Sequence, residues 1–520
     1  MNIQVARRTS TWVSLVVRVM VVAVLAVNLV FYVHQSIGWQ MLVDSPVMHY
    51  VNFLMDHGMR PYQEITDNNF PGAYLTEGWA MHLFGPGDLA WRFYDYFLLI
   101  TLTASMVVIA WPYDRVAGFY AGGLFALRHG SEGPWFAGER EQAIAAFLVA
   151  SCALLFLAVR NRRPALVGGF GLVAAMAASI KPTIAPFTLI ALLLLFLELR
   201  RQRLPPKPYL VWGVAGLVTS LSINVAFLLR HQAFYAFFRI IHLVTFTYIG
   251  LNKPGLHFLI RHVLPDELLP LIPFGLLGLV LHRKWNWEFS VLALAAAFGL
   301  FSYFLQGKGF FHHRYIFLSF VLLLISIEIF SLLRGSLSMR LVGAWGLLIP
   351  LLLAVRGYNH QLRVLPGRSL LTETLEADLQ QFGGTQLQNG VQCFDLTFGC
   401  LSTLYHLGLV ENTGYTGDLL LFQPAQSAAT AYYRSKLLQL EAHHPASVLV
   451  VTNEDFGKPN SFDRLREWPA FVDDLKRNYD LVIARSFPRE DRLRDQGAAP
   501  TATAPAYRIY VRRSSPKPRL

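Results

Sequence analysis

The run "WVSLVVRVMVVAVLAVNLVFYVHQ", Trp12 to Gln35, is the feature that most constrains this chain. It is long and apolar enough to cross the hydrocarbon core of a bilayer as one helix. Similar runs recur at Asp95–Trp111, Val116–Leu127, Ala143–Val159, Leu166–Ile180, Ile184–Leu199 and Leu210–Leu229. Four more follow at Leu268–Leu281, Phe289–Leu305, Ile316–Leu333 and Leu341–Val355. That gives about eleven spans on the usual length criterion, some short enough to imply breaks or tilts. With 54% hydrophobic and 15% charged residues, the composition excludes a soluble globular protein. The fold class expected is a polytopic α-helical membrane protein.

Positive residues in short loops set the orientation. Arg7–Arg8, Arg160–Arg163, Arg200–Lys207, His282–Lys284 and Arg334–Arg340 all fall on one side if every segment spans. That side is the cytoplasm. The other face then carries Asp44, Glu132, Arg140, Lys181, Lys308, Arg314 and the C-terminus, as expected of a multi-pass protein of an inner or plasma membrane. No small-x-small cleavage site follows the first apolar run, so it reads as an uncleaved anchor. The formal charge of +12 belongs partly to this pattern, and no nucleic-acid recognition motif accompanies it.

Two regions depart from the membrane pattern. Beyond about Tyr358 the stretches "VQCFD", "ASVLVVTN", "DLVIARSF" and "YRIYVRR" are strand-like. Helical stretches at Ala428–His444 and Phe462–Arg477 separate them, and Gly497–Ala506 reads as a loop before the closing strand. The domains expected are a membrane domain, 1–357, and an extracytoplasmic mixed α/β domain, 358–520. Cys152 sits in an apolar helix and reads as packing. Cys393 and Cys400 lie in the external domain, where a disulfide is chemically permitted but not settled by spacing.

The second departure is the first external loop, 36–89, too long and patterned for a connector. It reads "DSPVMHYVNFLMDHGMRPYQEITDNNFPGAY" from Asp44. Val47, Tyr50, Val51 and Leu54 form one stripe, which predicts a short helix on the membrane surface ending at Gly58. Asp44 near its start has two readings, a helix cap and a functional carboxylate. Three further loops bring cations to the same face. "RHGSEGPWFAGEREQ" holds Arg128, His129, Glu139 and Arg140; "SIKPT" holds Lys181; "QGKGFFHHRY" holds Lys308, His312, His313 and Arg314. Glycines flanking Lys308 permit close backbone approach to a ligand. For Lys181, Lys308 and Arg314 two roles stand side by side, anion ligand and headgroup anchor; Arg128 reads as a snorkelling anchor.

A first span, an external aspartate, a tyrosine-bearing amphipathic helix and two proline turns together resemble the GT-C superfamily of membrane glycosyltransferases. The resemblance covers roughly the first 355 residues. It is nearest the polyprenyl-phosphate-sugar branch that includes protein O-mannosyltransferases and lipid A aminoarabinose transferase. It implies that Asp44 acts at the acceptor. Ser45 stands where the family has a second carboxylate, so Asp67 or Glu64 is implied to compensate. Asp67-Asn68-Asn69-Phe70-Pro71 corresponds to the family's second loop motif, and "GERE" and "GKGFFHH" are similar to signatures that draw in Arg140 and Lys308.

The chemistry agrees with that resemblance. Outside the cytoplasm a sugar donor has no nucleotide pool to draw on, so it rides on a lipid phosphate. Transfer from such a donor needs a base for the acceptor hydroxyl and cations for the departing phosphate. The reading assigns catalysis to Asp44 with Asp67, and the donor phosphate to Arg140, Lys181, Lys308 and Arg314. Tyr50, Asn69, Glu139 and His313 line the site. Neighbouring histidines point apart on a helix, so no tightly held metal is expected, although some relatives use a divalent cation. The partners expected are a polyprenyl-phosphate-linked sugar, an acceptor glycan, lipid or protein, and membrane lipid. A lipid-linked sugar transporter or flippase, an O-antigen-type polymerase and a non-enzymatic assembly subunit are the rival readings. No internal repeat supports a transporter, and no large late loop supports a polymerase.

Overall fold

The computed structural model describes residues 2–514 except 252, 283–284, 365–366, 425–426, 456–457 and 489–503, and leaves out the side chains of 2–11, 246, 282 and 362–364. The side chains of Arg7, Arg8 and His282–Lys284, and the loop expected from Gly497 as far as residue 503, therefore lie outside the described residues. The helices in chain order begin with α1 Asn2–Ser36, α2 Ser45–Asp56, α3 Pro71–Phe84, α4 Asp88–Ala110 and α5 Arg115–Glu132. Next come α6 Arg140–Arg160, α7 Ala165–Ile180, α8 Ala185–Arg201, α9 Pro206–Arg230 and α10 Phe234–Gly250. Then follow α11 Leu256–His262, α12 Leu271–His282, α13 Trp287–Gln306, α14 Tyr315–Leu332 and α15 Leu337–Val364. The remainder are α16 Leu370–Phe382, α17 Cys400–His406, α18 Ala428–His443 and α19 Pro469–Asn478. Strands β1 Val391–Phe394, β2 Val448–Thr452, β3 Tyr479–Ser486 and β4 Ala506–Arg512 complete the set.

Each apolar segment read from the sequence lies within one of these helices, overrunning it by no more than about three residues at an end. Among the described residues eight helices are long and apolar enough to cross a membrane, or nine if the pair bent by 52° at Leu256–His262 and Asp266–Leu281 is one span. The difference from eleven has a physical reason. Helices α5 and α7 are shorter or less apolar, and α5 is buried along nearly its whole length, so protein rather than lipid satisfies it. The architecture is that of a polytopic helical membrane protein.

The chain forms two compact units. One comprises Met1–Gly38, Arg92–Asn224 and Pro254–Leu365. Its helices pack closely where small residues meet: a Cβ added at Gly171 would lie 2.3 Å from the Gly213 carbonyl, and one at Gly216 2.0 Å from that of Gly168. Backbone contact of α7 on α9 through glycines is the usual device where lipid removes the hydrophobic drive to associate. Outward-facing side chains such as Val27, Val30, Leu221 and Leu352 are apolar and exposed, as lipid contact requires.

The other unit comprises Trp39–Trp91, Val225–Lys253 and Pro366–Leu520. Its sheet has the order β1-β2-β4-β3. Strands β1 and β2 run parallel, with Val391 opposite Val448, while β4 is antiparallel to both β2 and β3. Both parallel strands are buried throughout, which explains their continuous apolar reading. All four strand-like stretches are strands, and Phe462–Arg477 divides into a 3-10 turn, Phe462–Glu467, and α19 because Pro469 opens a new helix. A Cys393–Cys400 disulfide, with Cα atoms 6.0 Å apart, ties β1 to the start of α17.

Candidate functional site

In the first unit, polar side chains gather where α4, α5, α6 and α14 end or begin. Asp95 is fully buried and ion-paired with Arg92 at 3.1 Å. Its carboxylate also meets His129 Nε2 at 2.8 Å and accepts from the Gly138 amide at 2.9 Å and the Tyr32 hydroxyl at 3.1 Å. The bond to Gly138 fixes the turn that presents Glu139 and Arg140. His129 Nδ1 lies 3.0 Å from the Tyr315 hydroxyl, which in turn donates to Glu132 at 2.5 Å. Arg314 donates to Glu132 at 2.8 Å and to the His262 carbonyl at 2.6 Å, and Arg128 donates to Glu132 at 3.0 Å. Burial opposes ionisation of Glu132, yet Arg128 and Arg314 hold it below the usual carboxylate range.

A second cluster lies at the start of α6. Glu141 is ion-paired with Lys181, and Lys181 also donates to Gln306 Oε1 at 2.6 Å. Lys181 stands where Pro182 separates α7 from α8, the break that its sequence context implied. His312 and His313 bring Nε2 within 3.8 and 3.6 Å of Glu141. The expectation that neighbouring histidines diverge fails here, because Phe311–Arg314 is a 3-10 turn rather than a helix. Glu141, His312 and His313 offer ligand atoms within 4.8 Å of one another. The Lys181 ammonium already neutralises that carboxylate, so the set fits a dication poorly. Lys308 is buried, at 3% exposure. Gly307 and Gly309 beside it hold left-handed φ of 61° and 73°, and a Cβ on Gly309 would strike the Phe258 ring at 2.7 Å. Arg140 occupies the first turn of α6, and Glu139 is buried just before it.

In the second unit, α2 is buried along most of its circumference, between α3 and α17. The surface helix expected from its apolar stripe is therefore an internal one. Its apolar side chains meet protein, and Gly58 ends it at φ 92° as read. Asp44 stands at its N-cap position but has helical backbone angles and makes no capping hydrogen bond to the first turn. Val43 just before it is held at φ 63°, which a β-branched residue adopts only under strain. The main chain there is tied down on both sides. Met41 N–H donates to Asp88 at 2.8 Å, and Gln40 N–H to the Gly367 carbonyl at 2.8 Å.

Tyr50 is a fastening rather than an open wall. Its hydroxyl donates to the Leu409 carbonyl and accepts from the Glu411 amide, both at 2.9 Å. Asp67 accepts from the Asn68 amide at 2.7 Å, the Tyr74 hydroxyl at 2.8 Å and the Asn69 amide group at 2.9 Å. These bonds order the turn that "TDNNFPG" makes. Glu64 pairs with Arg60 four residues before it. Arg128, read as a snorkelling anchor, is instead held by Glu132 and by Glu267 at 3.4 Å.

Arg92, Asp95 and Glu141 escaped the sequence reading. The signal for the first two was present: "WRFYDYF" places an arginine and an aspartate three apart in an apolar helix, and ionisable residues there are rarely idle.

No protein-family model matches the sequence, and no curated protein does. Solved structures match its shape. ArnT from Cupriavidus metallidurans, bound to undecaprenyl phosphate, superimposes with TM-score 0.57 at 12% identity over 94% of this chain and 98% of that one. The oligosaccharyltransferase AglB from Archaeoglobus fulgidus, in complex with an inhibitory peptide and a dolichol-phosphate, gives 0.53 at 11% identity over 95% and 74%. The likeness thus runs past residue 355 into the C-terminal region, farther than the sequence motifs reach. The chain has the fold of the GT-C membrane glycosyltransferases.

Proposed function

We propose that the protein moves a sugar from a polyprenyl-phosphate carrier to an acceptor hydroxyl on the external face of the membrane, with inversion and with Asp44 as general base. The observation that carries this reading is the fold, shared across nearly the whole length of a protein bound to undecaprenyl phosphate. Asp44 supports it locally, since a carboxylate on a strained turn that does not cap its helix suits chemistry better than stability. In the reaction the acceptor hydroxyl gives its proton to Asp44 as its oxygen bonds to the anomeric carbon. The bond from that carbon to the phosphate oxygen breaks, and the charge leaves on the polyprenyl phosphate. Lys308 and Arg140 hold that phosphate, because backbone freedom beside Lys308 and the N-terminus of α6 beneath Arg140 both favour an anion. Lys181 and Arg314 hold Glu141 and Glu132 in place and keep the surrounding field positive. Asp67 and Asn69 shape the acceptor side.

Membranes containing the full chain, given radiolabelled polyprenyl-phosphate sugars, should yield a product heavier than the acceptor by one sugar. Labelled lipid that crosses the bilayer without changing mass would identify a carrier and overturn the reading.

A further inference from the structure

A cavity of about 310 Å³ in the first unit borders the Glu132 cluster through Arg128. It sits where the C-terminal ends of α5 and α15 meet the 3-10 turn Asp266–Leu268. Its wall is two-faced. Leu353 and neighbouring apolar side chains continue the lipid-facing surface of α15, while Arg356, His360, Arg128 and Glu267 crowd the mouth. Arg356 and His360 are one turn apart, so both side chains rise on one face of α15. Arg128 pairs with Glu132 and Glu267, and Arg314 pairs with Glu132 as well, so the two acids are balanced and Arg356 leaves its side positive. Tyr358, between them in sequence, is fully buried on the opposite side of α15, with its ring against Tyr32.

We propose that this cavity binds the phosphodiester headgroup of an anionic glycerophospholipid. The acyl chains would follow Leu353 along α15, and the phosphate would take hydrogen bonds from Arg356 and His360. Size agrees, since roughly 300 Å³ is the lower end of ligand pockets and suits a headgroup better than a whole lipid. The site is independent of the sugar-transfer reading and stands or falls separately from it.

The test is native mass spectrometry of the full-length protein in detergent, with phosphatidylglycerol, phosphatidylcholine, inorganic phosphate and undecaprenyl phosphate as separate probes. Wild type should retain phosphatidylglycerol in preference to phosphatidylcholine. Arg356→Gln with His360→Gln should weaken retention about tenfold, the worth of one charge-assisted hydrogen bond, while Arg356→Lys keeps most of it. Tyr358→Phe, on the far side of α15, should leave retention unchanged. Equal retention of both phospholipids, or unchanged phosphatidylglycerol binding in the double variant, overturns the proposal. So does displacement of the lipid by millimolar inorganic phosphate, which would make this a free-phosphate site. Undecaprenyl phosphate bound through the same residues in place of phosphatidylglycerol would assign the cavity to the carrier and overturn it too.

Discussion

At the scale of single residues, Asp44 and Asn differ by one proton acceptor and little else. Asp44→Asn should lower sugar transfer by about two to four orders of magnitude, the usual worth of a positioned base, with the melting temperature nearly unchanged. A cap would behave in reverse: Asn silent, and Ala destabilising by about 1 kcal/mol. Wild-type transfer by the Asn variant ends the catalytic assignment. The cations separate in the same way. Lys308→Ala should raise the donor concentration needed for half-maximal rate, with partial recovery in Lys308→Arg. Arg314→Ala should instead destabilise the protein by about 1.5–3 kcal/mol, because it leaves the buried Glu132 carboxylate with Arg128 as its one guanidinium partner; a stable Arg314→Ala protein with weak donor use would exchange the two roles. The loops that carry Asp44 and Lys308 were legible in the sequence, since turn residues mark each of them. Arg314's engagement was not, because Glu132 is 182 residues away and no local pattern announces a partner on another helix.

Among elements, the β1–α17 turn is the clearest case of chemistry hidden from a linear reading. Glu454, after β2, accepts from the Thr397 amide at 2.7 Å and its hydroxyl at 2.5 Å. Burial, with Asp395 alongside, pushes its pKa up to about 8. An acid whose pKa is higher in the folded state stabilises fully below its unfolded value, near 4.3, and that contribution is lost as pH rises to about 8. Hydrogen exchange in β1 and α17 should therefore quicken between about pH 5 and 8, and Glu454→Gln should flatten the profile; a profile equally steep in the variant assigns the effect elsewhere. The disulfide acts on the same turn. Replacing Cys393 and Cys400 by serine should cost about 2–3 kcal/mol for so short a loop, seen as faster exchange in α17 and then in α2. Strands were legible here from β-branched runs, and helices from hydropathy. The burial of α2 was not, since an amphipathic stripe looks the same whether its far side meets water, lipid or the sheet's helices.

For the whole molecule, the positive loops predict which face holds the C-terminal region. A cysteine at Arg466, whose side chain is 82% exposed, should react with a membrane-impermeant maleimide in intact cells. Reaction only after permeabilisation would reverse the topology and remove the reason for a lipid-borne donor. The union of the first loop with the chain's last third bears on a different matter, the order of events during synthesis. Tyr50 fastens to Leu409 and Glu411 across 359 and 361 residues. At about 5–20 residues per second, α2 waits on the order of tens of seconds after its own synthesis for these partners to exist. Until then its apolar faces need another cover, and the turn at Val43 has the Met41–Asp88 bond on one side but still lacks the Gln40–Gly367 bond on the other. A nascent or truncated chain can thus fill the membrane with spans while its carboxylate remains unplaced. Helix α2 is fastened only once the Leu409–Glu411 segment has been made and docked.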